Sequence, residues 1–284
     1  MKRSCLGLLL LACGASANQQ ALTLTPYTVA FPSASLEENG KVGQELYGFT
    51  LEKRSRLNQQ WLMSWQLEGA YSDFNFSRDS LLGGRIQAWD SRTTLGVGIN
   101  VTKPDRTGLT WFVGPRLQWS YADTASFADG FGYGLLAGAS YPVSEALTLG
   151  LGGGYFNDPY NVRWFPVLFI KWQITDKLKL HNPFEPGFAG RGGLELAYRF
   201  NPTWELGAGV AYRTQNFALG EGAVEIEQPL SFLRASFTAD GGWRLSGYLG
   251  YRSEGEFSLH GPHGGDTLDL ESESAFGMVV TIHF

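Results

Sequence analysis

Hydrophobic and polar positions alternate with a period of two through most of this chain. In 60–72, Trp61, Met63, Trp65, Leu67 and Tyr71 share one face, and Ser64, Gln66 and Glu68 share the other. In 88–102, Trp89, Thr93, Leu95, Val97, Ile99 and Val101 stand against Asp90, Arg92, Gly96, Gly98 and Asn100. In 109–121, Leu109, Trp111, Val113, Leu117, Trp119 and Tyr121 oppose Thr110, Gly114, Arg116, Gln118 and Ser120. Similar stripes recur at 131–141, 146–156, 162–174, 204–213, 231–239 and 243–252. A two-residue period is the mark of strands rather than helices. Many stripes exceed the ~5–6 residues usual in a soluble sheet and match the ~9–11 tilted residues that cross a bilayer.

The competing architecture is a water-soluble sandwich, and three features oppose it. The polar faces are rich in glycine, the stripes are long, and aromatic residues gather where strands end. Tyr141 precedes the turn 142–145 and Trp172 precedes 175–177. Tyr198, Phe200 and Trp204 flank 201–203, and Trp243 follows 240–242. Rings at strand ends suit the aromatic girdles of transmembrane barrels. The expected fold is all-β, a single antiparallel transmembrane β-barrel of meander topology.

Connection lengths orient it. Short turns at 55–59, 102–107, 142–145, 175–177, 201–203 and 240–242 alternate with longer stretches at 73–87, 122–130 and 254–270. Outer-membrane barrels keep short turns on the periplasmic side. Strands are expected at 46–54, 60–72, 88–102, 108–121, 131–141, 146–156, 162–174, 178–186, 190–200, 204–216, 229–239, 243–252 and 274–284. Bacterial barrels are even-numbered, so 22–31 is expected to supply a fourteenth strand despite Pro26. Twelve follow if 22–31 stays periplasmic and the segment bearing Pro183 and Pro186 does not span. Only 18–20 and 33–44 read as linker.

The first residues assign a compartment. Lys2 and Arg3 precede the apolar run 6–12, and Ala15-Ser16-Ala17 forms an A-x-A site. This pattern is a secretory signal peptide, with cleavage expected after Ala17 and the barrel occupying 18–284. The alternative is a lipoprotein box at Leu10-Leu11-Ala12-Cys13, which would leave a lipidated Cys13; Leu11 is unusual at its place in such a box. Cleavage after Ala17 removes both cysteines, Cys5 and Cys13, and with them disulfide and thiolate chemistry. It also leaves 20 basic and 27 acidic residues, a net charge of −7. That balance and export exclude nucleic acid as a partner. Composition agrees: 37 glycines, 14% aromatic and 43% hydrophobic residues rule out disorder. Charged residues at 17% are fewer than the ~25% of a soluble domain, and there is no apolar run of about 20 residues for a membrane helix.

The last residues add an assembly signal. Phe276, Met278, Val280, Ile282 and the terminal Phe284 alternate, and the commoner form of this signal has glycine where Val279 stands. The stretch 166–177 (PVLFIKWQITDK), followed by 194–198 and Asn201-Pro202-Thr203-Trp204, resembles a group of uncharacterised Gram-negative outer-membrane β-barrel proteins. The likeness covers about 50 residues, mostly a hairpin pattern. It implies an outer-membrane barrel and brings no activity with it; periplasmic chaperones and the barrel assembly machinery are the partners expected in transit.

Assigning phase strand by strand gives a basic lumen. Arg92, Arg116, Arg163, Lys171, Lys179, Arg191, Arg199, Arg213, Arg234, Arg244 and Arg252 face inward, against Glu52, Glu68, Asp90, Glu195 and Glu205. Basic rings in a pore favour anions. The expected function is therefore a passive, porin-like channel for small polar solutes with anion preference. A closed structural or adhesive barrel is the alternative, its charges paired with one another and with Glu225, Glu227 and Glu256. Inward glycines either widen a pore or let a small barrel bend. A barrel enzyme acting on lipid would need a Ser–His pair, and the inward His181 and His283 sit in no nucleophile motif. The segment 260–266 (HGPHGGD) offers two His and one Asp for Zn or Cu, but a solvated loop accounts for it without a fourth ligand. No cofactor or metal is expected, since there is no phosphate loop and no dinucleotide fingerprint. Small solutes and outer-membrane lipid are the expected partners.

Overall fold

The computed structural model describes residues 21–36, 40–58, 60–81, 86–105, 108–159, 161–183, 187–190, 192–220, 222–239, 241–261 and 264–284. The expected signal peptide, Cys13, residues 18–20 and Arg191 lie outside the described residues. Eighteen strands follow one another: β1 (Leu22–Leu36), β2 (Gly40–Arg56), β3 (Leu62–Phe76), β4 (Ser80–Leu81), β5 (Ile86–Gln87), β6 (Ser91–Pro104), β7 (Thr110–Ala122), β8 (Phe131–Pro142) and β9 (Leu147–Asp158). They continue with β10 (Asn161–Gln173), β11 (Leu178–His181), β12 (Gly193–Arg199), β13 (Trp204–Leu219), β14 (Gly222–Thr238), β15 (Trp243–Arg252), β16 (Gly255–Gly261), β17 (Gly264–Leu270) and β18 (Glu273–His283).

Fourteen of these close into an antiparallel meander barrel. β4–β5 is a small separate hairpin, and β16–β17 is a hairpin attached to β14 and β1 above the barrel. The strand at 22–31 is present and runs on to Leu36, so the count is fourteen rather than twelve. Large outward residues such as Trp65, Leu67, Leu95, Leu135 and Leu233 are exposed on the outer face, the side that a barrel turns to lipid. Their neighbours in sequence face the interior.

The seam between β1 and β18 closes the barrel. Phe284 N–H donates to Leu22 O at 2.9 Å, so even-numbered β1 residues point their backbone groups at β18. The ladder pairs Thr23 with His283 and Leu24 with Ile282, then resumes only at Tyr27 with Val279. Pro26 falls in the break, where its missing N–H removes a rung.

Three expectations change. The described residues of the stretch 33–44, expected as linker, form the upper ends of β1 and β2, paired from Ala34↔Val42 to Leu36↔Gly40 beyond an irregularity after Phe31. The segment around 260–266, expected as a solvated loop, has its described residues in the β16–β17 hairpin; Pro262 and His263 lie outside them. The strands expected at 178–186 and 190–200 shorten to four and seven residues. Pro183 follows β11 closely, and a proline is poorly placed inside a paired strand.

Candidate functional site: a capped lumen beside a gap in the wall

The extracellular mouth is closed by the strands that outgrow the barrel. β13 and β14 run 16 and 17 residues, and their hairpin leans across the opening until Ala218 pairs with Tyr121 of β7. β7 stands six strands from β13 one way round and eight the other, so the hairpin reaches the opposite wall. β16 then pairs along β14 from Ala223↔His260 to Glu227↔Glu256, and Leu270 of β17 meets Leu36 of β1. Beneath this cap lies an apolar cluster centred on Trp89, which is 1% exposed. Its indole stacks on Phe257 at 5.6 Å and meets Phe74, Phe76 and Phe217 edge-on at 4.9–5.7 Å. Edge and offset contacts at these separations are the favourable aromatic geometries.

A second apolar cluster fills the lumen below. Phe188, from the connection between β11 and β12, is fully buried and stacks on Tyr248 at 4.8 Å, with Phe232 edge-on at 6.1 Å. A Cβ at Gly250 would come within 2.7 Å of the Phe188 ring, so glycine in the wall is what admits the plug. Arg213 holds the same connection by donating to the carbonyl oxygens of Gly187 and Phe188. Its guanidinium also lies 5.5 Å from the Phe31 ring, and that of Arg252 lies 3.8 Å from it.

The residues expected to line the lumen fall into separate groups. Arg92 is buried, donating to Gln215 Oε1 at 2.7 Å and Ser72 Oγ at 3.1 Å beneath the Phe217 ring. Glu68 accepts from Arg116 at 3.0 Å on the wall of β3 and β7, and Arg116 also donates to Gln118. Nearest the periplasm, Glu195 and Glu205 gather the largest cluster. Arg234 pairs with both; Lys179, Arg199 and Arg244 approach Glu205 at 3.2, 3.8 and 3.0 Å. Lys171 shares this face through its register with His181, which in turn pairs with Glu195. Asp90 is not on the wall: it sits exposed at the mouth just before β6, where its N–H donates to Asp123 Oδ2 at 3.3 Å. Arg163 pairs with Asp158, Arg252 with Glu273, and Glu52 with Arg54.

The histidines have other employment. His283 Nδ1 lies 3.1 Å from Thr23 Oγ1 on the seam, and His181 Nδ1 lies 3.1 Å from Asn182 O. His260 Nε2 stands 3.5 Å from Glu225 Oε2 in the cap. On the C-terminal strand, Phe276 and Met278 are exposed on the outer face, Val280 and Ile282 are half-buried, and Phe284 ends the chain at the periplasmic rim.

Among the described residues, the wall is incomplete on one side. β10 pairs with β9 along its whole length but with β11 only at Lys171, Trp172 and Gln173. Among the described residues no strand pairs with the other edge of β10 from 161 to 170. Nine or so residues of edge amount to about 30 Å of strand at ~3.3 Å per residue. Asn182 caps the lower end of the gap: its Oδ1 accepts Ile170 N–H at 2.7 Å and its Nδ2 donates to Gly193 O at 2.9 Å. Ile170 therefore points its backbone into the gap, and so, by alternation, do Trp164, Pro166 and Leu168. Proline lacks the N–H that would otherwise stand unpaired there, which is how natural edge strands are blunted. Trp164 beside it is 76% exposed. At the top, Glu225 of the cap ties to β10: Asn161 Nδ2 donates to it at 2.7 Å, and Arg163 lies at 3.7 Å.

The interior next to the gap is aromatic. Phe112 meets Phe169 edge-on at 4.7 Å, and Phe156 stacks with Phe165 at 5.7 Å. A Cβ at Gly138 would come within 2.5 Å of the Phe112 ring, so glycine here lets rings lie against the wall. Neither the gap nor the cap was expected from sequence. Alternation in 223–227 and 255–259, with Val224, Ile226, Phe257 and Leu259 on one face, was the available signal for the cap strands.

Neither a family model nor a curated protein sequence matches the chain. Solved structures do. The COG4313 outer membrane channel from Pseudomonas putida F1 is similar over 93% of this chain and 95% of that one, with TM-score 0.54 and 11% identity. A Pseudomonas aeruginosa FadL homologue shares 12% identity at TM-score 0.49, covering 93% and 89% of the two chains. A TodX monoaromatic hydrocarbon channel mutant shares 11% at TM-score 0.46, covering 94% and 90%. At these identities the likeness is one of fold, that of an outer-membrane β-barrel.

Proposed function

We propose that this protein is an outer-membrane channel through which small apolar solutes pass between the outer leaflet and the lumen by way of the gap beside β10. The edge of β10 that no described strand pairs carries this reading. A membrane-spanning sheet satisfies its backbone groups internally, and an open edge persists only where it borders protein or a cavity. The apolar cap closes the direct route from outside, so the side of the barrel is the route that remains. Apolar rings line the interior where the gap opens. On the outer face, an apolar groove of about 920 Å³ runs past Leu178 and Leu196 of the two short strands to Leu233 and Phe276, a place for such solutes to gather from lipid. The described fold is also that of a protein reported as an outer membrane channel. The export signal at 1–17 supports delivery to the outer membrane with the assembly machinery and chaperones as transit partners.

A second reading keeps the anion-preferring channel for small polar solutes. The observation in its favour is the periplasmic cluster, where Lys179, Arg199, Arg234 and Arg244 surround Glu195 and Glu205. One pair of measurements separates the two. Refolded 18–284, verified by heat-modifiable mobility, is placed in vesicles and in a planar bilayer. The lateral route predicts protein-dependent transfer of an apolar fluorophore, with conductance small or absent. Large discrete steps with a chloride-selective reversal potential under a KCl gradient, and no fluorophore transfer, would replace it with the second reading.

A further inference from the structure

Among the described residues, the inward charges of β10 to β15 at the periplasmic end include more cations than carboxylates. Five of these cations, Lys171, Lys179, Arg199, Arg234 and Arg244, stand on neighbouring inward positions of β10 to β15 with two described carboxylates, Glu195 and Glu205. Glu195 is committed to Arg234; both side chains are 2% exposed. Glu205 is left as the shared partner of Lys179, Arg199, Arg234 and Arg244. Arg199 is its most distant partner at 3.8 Å and is 54% exposed. Lys171 is exposed on the same face, diagonal to Lys179 across the β10–β11 register, in which Lys171 meets His181 and Gln173 meets Lys179.

We propose that Lys171, Lys179 and Arg199 form a binding site, opening to the periplasm, for a small dianion bearing carboxylate or phosphate groups. Arg199 offers a planar fork of donors that suits either oxyanion, and the two lysines supply point charges beside it. Glu205 fixes Lys179 and Arg199 from below, so the donors are held before the anion arrives. The surrounding wall is low in dielectric and concentrates the field of like charges. The site lies within a few residues of the turns at 175–177 and 201–203, so an anion reaches it without crossing the cap or the gap. It therefore rests on neither transport reading, and its failure would leave the lateral route untouched.

The test is calorimetric titration of the refolded barrel in zwitterionic detergent at low ionic strength, with succinate and inorganic phosphate as separate probes. Expected is saturable binding of one equivalent, weakened by added chloride. The double variant Lys179→Gln with Arg199→Gln loses about tenfold or more in affinity, while Arg54→Gln, a change to an exposed arginine paired with Glu52 in β2, retains wild-type affinity. Both variants are first checked for heat-modifiable mobility; if the double variant does not fold, Lys171→Gln alone, an exposed position, is expected to lower affinity several-fold. A non-saturating isotherm, or equal loss in Arg54→Gln, would overturn the site and leave only general electrostatic attraction. Binding of one probe and not the other assigns the site to carboxylate or to phosphate.

Discussion

β11–β12 and β13–β14 are adjacent hairpins of one sheet, yet they solve opposite problems. β11 and β12 have four and seven paired residues, and among the described residues most of one edge of β10 has no partner strand. β13 and β14 have 16 and 17, and the surplus folds over the mouth. In a barrel of uniform strands the lumen opens along the axis. Here the difference in length between neighbours folds a hairpin over the axis and, among the described residues, leaves part of the β10 edge without a partner strand. Under the proposed lateral route, strand length, more than strand number, sets where this barrel exchanges with its surroundings.

The largest effect should come from removing the anchor of the long hairpin. Trp89→Ala takes out the centre of the apolar cluster, at a cost of about 3–5 kcal/mol for a buried tryptophan. The cap is expected to loosen while the barrel persists, read as the appearance of axial conductance with unchanged heat-modifiable mobility. A silent bilayer would mean either that Phe217 and Phe257 hold the cap without it or that the plug built on Phe188 keeps the lumen shut below a loosened cap.

What the sequence disclosed divides along the same line. The outward Trp65, Leu67, Leu95 and Leu233 announced their strands because a bilayer demands large apolar side chains at every second position. The alternation of Val224 and Ile226 with Glu225 and Glu227 is as regular, but nothing in it says that the strand leaves the wall and crosses the mouth. That path is set by contacts with Trp89 and Tyr121, far away in sequence. The stretch 33–44 read as linker because its serines, glycines and charges have low strand propensity, which the pairing of its described residues between β1 and β2 overrides. Glu195, Glu205, Arg234 and Arg244 were legible as inward charges from phase alone, although their partners were not. Arg213 shows why: it spends its donors on the backbone carbonyls of Gly187 and Phe188, which no residue pattern encodes.

A smaller change should separate the cap from the gap. Glu225→Ala removes the acceptor for Asn161 and the neighbour of Arg163 and His260, worth about 1–3 kcal/mol for a partly buried charged partner. Faster transfer of an apolar fluorophore is expected, without the axial conductance of Trp89→Ala. If the two variants behave alike, mouth and gap open as one unit. The smallest effect belongs to Pro166→Val. Since this position faces an edge that pairs with nothing described, the restored N–H gains no partner, and no gain in stability is expected. A clear gain in thermal stability would show that a strand docks on β10 after all.

The break at Pro26 bears on how such a barrel comes into being. Thr23 and His283, which meet at the seam, lie 260 positions apart in the chain. Every other wall contact joins strands that follow each other closely, so the ends of the sheet are the last to find one another. The entropic cost of closing so long a loop grows only slowly with its length, but it falls on a single ladder, and two of that ladder's rungs are missing. Ring closure is thus the natural late event of folding, and the line through Thr25 and Pro26 is where a growing sheet stays unzipped longest.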